Sequence, residues 1–152
     1  MTADHSAPVV RFKRTVDDPD WPLPSWGSAK ASGLDLAAAV TEPVTIAPGA
    51  IVLIPSGWSA AIPDGWEGQV RPRSGLALRH GLTVINAPGT IDSDYRGEIG
   101  LAMVNLGAQP VTVKRGDRLA QLVIARVERP ELVQGELDVT DRGEGGFGST
   151  GR

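Results

Sequence analysis

Residues 72–99 read PRSGLALRHGLTVINAPGTIDSDYRGEI. Pro72 interrupts a strand ahead of an Arg-Ser-Gly turn, β-branched runs lie on either side of Asn86-Ala87-Pro88-Gly89, and an Asp/Tyr cluster follows. Only residues 75–80 have room to coil, for a helical turn or two at most. Every other segment is strand-length and bounded by turn residues, which predicts an all-β domain. Working outward, strands are predicted at 9–12, 34–38, 44–46, 50–54, 58–62, 69–73, 82–85, 99–105, 111–113 and 119–127. Ala47-Pro48-Gly49, Pro63-Asp64-Gly65, Leu106-Gly107 and Arg115-Gly116-Asp117 supply the turns. Short strands at such regular spacing suit a jelly roll or similar β-barrel, with residues 82–91 forming a compact hairpin.

The 152 residues amount to one domain. Residues 1–140 are expected to form the barrel and 141–152 a flexible Gly-rich arm, since five of those last twelve residues are Gly and only Phe147 is aromatic. By composition the arm is either a frayed end or a lid, because Gly-rich backbone can wrap a phosphate while a lone aromatic stacks on a base. A net charge of −3 argues against general binding to nucleic acid or an anionic membrane. A polyanion must therefore be held by a few local Arg or Lys side chains. The absence of Cys excludes disulfides and thiolate chemistry, and two histidines, His5 and His80, are too few for a His-rich metal site. A metal would be a hard cation such as Mg²⁺, held through oxygen. The opening MTADHSAPVV has no signal-peptide pattern, so a soluble, cytoplasmic protein is expected.

Arg73, Ser74 and Gly75 at a strand end form either an ordinary turn or an anion cradle. The segment around Asn86 can present fixed backbone donors and acceptors to a planar base and leave no room for a 5-methyl group. A carboxylate at Asp92 can deprotonate a water for attack on phosphorus, and Tyr95 can pack on a sugar lacking a 2′-hydroxyl. Asp94 and Glu98 compete with Asp92 for that role, and residue chemistry alone leaves the choice open. Arg115-Gly116-Asp117 reads as a β-turn with Asp117 bonding local backbone, leading to a strand from which Gln121 faces the site. Trp21 and Trp26 flank a WPLPSW loop with their rings expected to pack on the barrel, while Trp58 and Trp66 suit core or subunit contacts.

In this order the motifs resemble those of the homotrimeric dUTPases over nearly the whole chain. They are Ala31-Ser32-Gly33-Leu34-Asp35-Leu36, Pro72-Arg73-Ser74-Gly75-Leu76-Ala77, Gly89-Thr90-Ile91-Asp92 through Glu98, Arg115 through Leu122, and Arg142-Gly143 with Gly145 through Gly151. The resemblance implies a dUTPase-like barrel that hydrolyses dUTP to dUMP and diphosphate with Mg²⁺. It further implies Asp92 as the base, Tyr95 under the deoxyribose, and Asn86, Thr90 and Ile91 at uracil, with Gly100 backbone nearby. Arg73, Ser74, Gly75 and Gln121 would hold phosphates, and Asp35 would support the metal's water shell or the site's architecture. A homotrimer with composite sites is implied, each closed by a neighbour's arm through Arg142, Phe147, Ser149 and Thr150. Ser32 stands where the family usually has Ala, and Glu144 where Asp is common. Two other readings compete: a dCTP deaminase of the same fold, whose members typically carry Arg-Ser-Ser, and a non-catalytic nucleotide-sensing trimer.

Overall fold

Alternation along short strands places one face of each in the core. In the Leu34–Ala37 segment the two leucines are buried while Asp35 and Ala37 face outward, the period-two pattern of a sheet with one wet side. The computed structural model describes residues 7–146. In chain order it contains β1 (Arg11–Arg14), β2 (Ser25–Trp26), β3 (Leu34–Ala37), β4 (Val44–Ile46), β5 (Ile51–Ala61) and β6 (Trp66–Pro72). Then come a single helix, α1 (Ser74–His80), β7 (Leu82–Val84), β8 (Gly89–Ile91), β9 (Glu98–Asn105), β10 (Val111–Val113) and β11 (Arg118–Arg126).

Two antiparallel sheets pack against each other, one ordered β1-β5-β9-β7 and the other β2-β3-β11-β6-β8, with β4 and β10 paired separately. Leu36, Ile46, Ile54, Leu82, Ile99, Leu101, Met103, Val113 and Leu122 fill the space between them and are almost wholly buried. Ser56, Ser59 and Asn105 are the buried polar side chains among the described residues, and Asn105 is fully paired. Its Nδ2 donates to the carbonyls of Ile46 and Gln109, and its Oδ1 accepts the Gly107 N–H. The all-β expectation, with one short helix, is met. No helix among the described residues is long and apolar enough to cross a membrane.

Three local expectations are corrected. Residues 82–91 are not a hairpin: β7 pairs with β9 in one sheet and β8 with β6 in the other, so the Asn86 turn carries the chain between sheets. Both sheets bury apolar residues there, Val84 on one side and Gly89 on the other, so the pattern of the segment suited either pairing. The candidates at 50–54 and 58–62 are one strand, β5, bent where its register against β9 shifts between Pro55 and Ser59. Gly57 sits at that bend with φ +79°, which explains the break in the apolar pattern. Trp21 is buried as expected and donates Nε1–H to the Ser56 carbonyl, but Trp26 lies 62% exposed on a two-residue edge strand.

Candidate active site

Three strands and the start of α1 meet in a cleft of about 450 Å³. β11 lies between β3 and β6, and its Gln121 is paired with Asp35 on one side and Arg71 on the other. β6 ends at Pro72, whose carbonyl accepts the Gln121 side-chain amide at 3.0 Å, which turns Gln121 toward the cleft. Gly33 makes room for that amide, because a Cβ there would sit 2.5 Å from Gln121 Oε1. After Pro72, Arg73 is still extended and Ser74 opens α1, which Leu76 fastens to the core and which ends where Gly81 adopts φ +67°. A side chain at Gly81 would also collide with the Gly107 backbone.

Electrostatics order the cleft. Asp35 is bridged by two guanidinium groups: Arg73 Nε lies 3.3 Å from Oδ1, and Arg118 Nη1 donates to Oδ2 at 3.0 Å. Arg73 is held a second time by donating Nη1–H to the Arg118 carbonyl at 2.9 Å. Arg79, one helical turn beyond Gly75, lines the same cleft. Three arginines against one aspartate leave net positive charge beside the Ser74 hydroxyl, a setting suited to phosphate oxygens.

Of the residues singled out from sequence, Asp35, Arg73, Ser74, Gly75 and Gln121 thus come together. Asn86, Thr90, Ile91, Asp92 and Tyr95 form a second group that does not line this cleft. Thr90 and Ile91 pair with Gln69 and Gly68 of β6, and Asp92 emerges exposed at the end of that strand. A tight turn returns the Tyr95 N–H to the Asp92 carbonyl at 3.1 Å, and the Tyr95 hydroxyl donates to the Glu98 carbonyl at 3.0 Å. Gly97 is bare backbone against the Tyr95 ring. The Asn86 amide lies against Gly89, and Gly100 sits in β9 opposite Pro55. Arg142 is exposed and, among the described residues, its side chain bonds its own turn through the Gly145 carbonyl. Phe147, Ser149 and Thr150 lie outside the described residues.

Sequence reasoning passed over Arg79 and Arg118, and it left Glu98 as a third carboxylate beside Asp92 and Asp94. Glu98 Oε1 instead accepts the Gly57 N–H at 2.7 Å, fastening the 92–98 loop to the bend in β5. The i to i+4 step from Gly75 was the available signal for Arg79, once 75–80 was read as helical. The Arg115-Gly116-Asp117 turn forms as expected, Asp117 Oδ2 accepting the Lys114 N–H at 2.7 Å. Arg115 also stacks 4.3 Å from the Trp21 ring and pairs with Asp18 at 2.6 Å, which locks the Trp-rich segment in place.

Two packed antiparallel sheets with an arginine-lined cleft at their strand ends define the class: a jelly-roll-like all-β protein with a cationic cleft. The dUTPase family model matches residues 19–151. The chain is 54% identical over 144 residues to the deoxyuridine 5'-triphosphate nucleotidohydrolase of Caldanaerobacter subterraneus subsp. tengcongensis, covering 94% of this chain and 97% of that one. It is 52% identical over 154 residues to the enzyme of the same name from Caulobacter vibrioides, covering 99% of each. The dUTPase of Staphylococcus bacteriophage 80alpha, solved with dUPNHPP, superposes with TM-score 0.82 at 26% identity, over 95% of this chain and 99% of that one. This chain belongs to the dUTPase family.

Proposed function

We propose that the protein hydrolyses dUTP to dUMP and diphosphate, limiting uracil incorporation into DNA and supplying dUMP for thymidylate synthesis in the cytoplasm. The observation that carries this reading is the cleft that gathers Arg73, Ser74, Gly75, Gln121 and Asp35 in a member of this family. Membership favours it over a dCTP deaminase or a nucleotide-sensing trimer, and the Gly at position 75 agrees.

In the proposed reaction, Asp92 takes a proton from a water whose oxygen attacks the α-phosphorus. The bond to the bridging oxygen then breaks, and pyrophosphate leaves with the electron pair. Arg73, Ser74, Gly75 and Gln121 hold the phosphate chain. Asn86, with the backbone of Thr90, Ile91 and Gly100, reads uracil, and Tyr95 packs under the deoxyribose.

Among the described residues no three His, Cys, Asp or Glu cluster as a metal nest, and both Asp35 oxygens face arginines. That donor set fits a Mg²⁺ carried by the triphosphate and water, with Asp35 touching it through water. Bound there, the ion would offset phosphate charge.

Separation of the two residue groups within one chain is what a composite site requires, and we infer a homotrimer in which neighbouring subunits bring them together. The 141–152 arm then closes over a neighbour's site, with Arg142, Ser149 and Thr150 on phosphates and Phe147 over the base. A pyrophosphate-release assay across dUTP, dTTP, dCTP and UTP tests the reading. Release from dUTP alone is expected; ammonia from dCTP would overturn it.

A further inference from the structure

We infer that Arg79 is a further substrate-binding residue, a cation for the oligophosphate tail of the nucleotide; the inference rests on the dUTP reading above. Its guanidinium lies across Gly75, where a Cβ would come within 3.0 Å of Nη2. The Arg79 head group thus lies directly over the bare backbone at position 75. Arg79 lines the same cleft as Arg73, Arg118, Ser74 and Gln121.

The three arginines differ in what already occupies them. Arg73 and Arg118 share the Asp35 carboxylate, and Arg73 also donates to a backbone carbonyl. Arg79 has neither an ion pair nor a side-chain hydrogen bond among the described residues. A guanidinium carries five N–H donors in a planar fork suited to phosphate oxygens. The one aspartate in the cleft is shared by Arg73 and Arg118, so Arg79 joins Arg73 as a cation for an incoming polyanion and is the one of the three whose donors have no protein partner among the described residues. Exposure of the residue means that losing it leaves the fold intact.

Calorimetric titration of inorganic tripolyphosphate, with Mg²⁺, into the wild-type protein and into Arg79→Met decides the matter, alongside steady-state kinetics on dUTP and inhibition by deoxyuridine. Arg79→Met is expected to bind tripolyphosphate about tenfold more weakly and to raise KM for dUTP by a similar factor with kcat nearly unchanged. Inhibition by deoxyuridine, which lacks phosphates, should not move, and Arg79→Lys should recover most of the loss. Equal tripolyphosphate affinity in wild type and Arg79→Met, or no binding by either, overturns the inference. Parallel loss of deoxyuridine inhibition also overturns it, since the residue would then be supporting the whole site. A wild type that releases no pyrophosphate from dUTP would instead refute the dUTP reading, while the tripolyphosphate comparison still judges Arg79.

Discussion

Replacing Glu98 by alanine asks whether one carboxylate holds the loop that carries Asp92 and Tyr95. Glu98 Oε1 accepts the Gly57 N–H at 2.7 Å, at the bend where β5 slips register against β9. Gly57 is buried, so removing the carboxylate takes away the acceptor of a poorly solvated N–H. A hydrogen bond to a charged acceptor contributes about 1.5–3 kcal/mol, and leaving a buried donor orphaned costs about 1–3 kcal/mol. These are one loss seen from two sides, so Glu98→Ala should cost about 2 kcal/mol. For a chain of this size that lowers the melting midpoint by about 4–8 °C. Glu98→Gln keeps an acceptor oxygen but loses its charge, and should cost about 1 kcal/mol. The Glu98 carbonyl also accepts the Tyr95 hydroxyl, so a loosened Glu98 lets the Asp92–Tyr95 turn wander. Pyrophosphate release from dUTP should accordingly show kcat reduced about tenfold in Glu98→Ala, with a smaller change in KM and partial recovery in Glu98→Gln. Thermal melts and steady-state kinetics on the three proteins check both halves. An alanine variant that melts with the wild type, or a glutamine variant as damaged as the alanine one, would refute the reasoning.

Asp92→Asn should bind dUTP normally but lose most turnover, because an amide does not accept the water's proton. Binding by calorimetry and single-turnover kinetics separate the two, and near-normal hydrolysis would move the base to Asp94. Deleting residues 141–152 should leave thermal stability unchanged and cripple turnover; unchanged kinetics would make the arm a frayed end. The Asp18 carboxyl is held below its ordinary value, first by the hydrogen bond from Arg115. A carboxylate whose folded pKa is depressed stabilises the fold above its unfolded pKa, and that contribution is lost as pH falls through the folded value. Melts of wild type and Asp18→Asn should therefore differ at neutral pH and converge in acid below the ordinary carboxylate range. A gap that persists there would mean the ion pair is not its source.

The class of fold and part of the cleft, Asp35, Arg73, Ser74, Gly75 and Gln121, were legible in the chain alone. Period-two runs between Gly and Pro turns are local signals, so β4, β10 and the short helix after Pro72 were legible without any partner strand. That Arg73, Ser74 and Gly75 share one cleft was legible because they are adjacent in the chain at a strand end. Tertiary structure alone decided pairing and orientation. The segment 82–91 alternates as a hairpin would, yet its two halves join different sheets, because strand pairing depends on which edges are free nearby. Glu98 is one of three interchangeable carboxylates in the sequence until β5 bends and brings the Gly57 N–H to it across 41 residues. Asp35 likewise meets Arg73 only because β11 lies between β3 and β6 and brings their ends together, a contact no local pattern encodes. Local chemistry is written in neighbouring residues; which carboxylate meets which guanidinium is set by long-range packing.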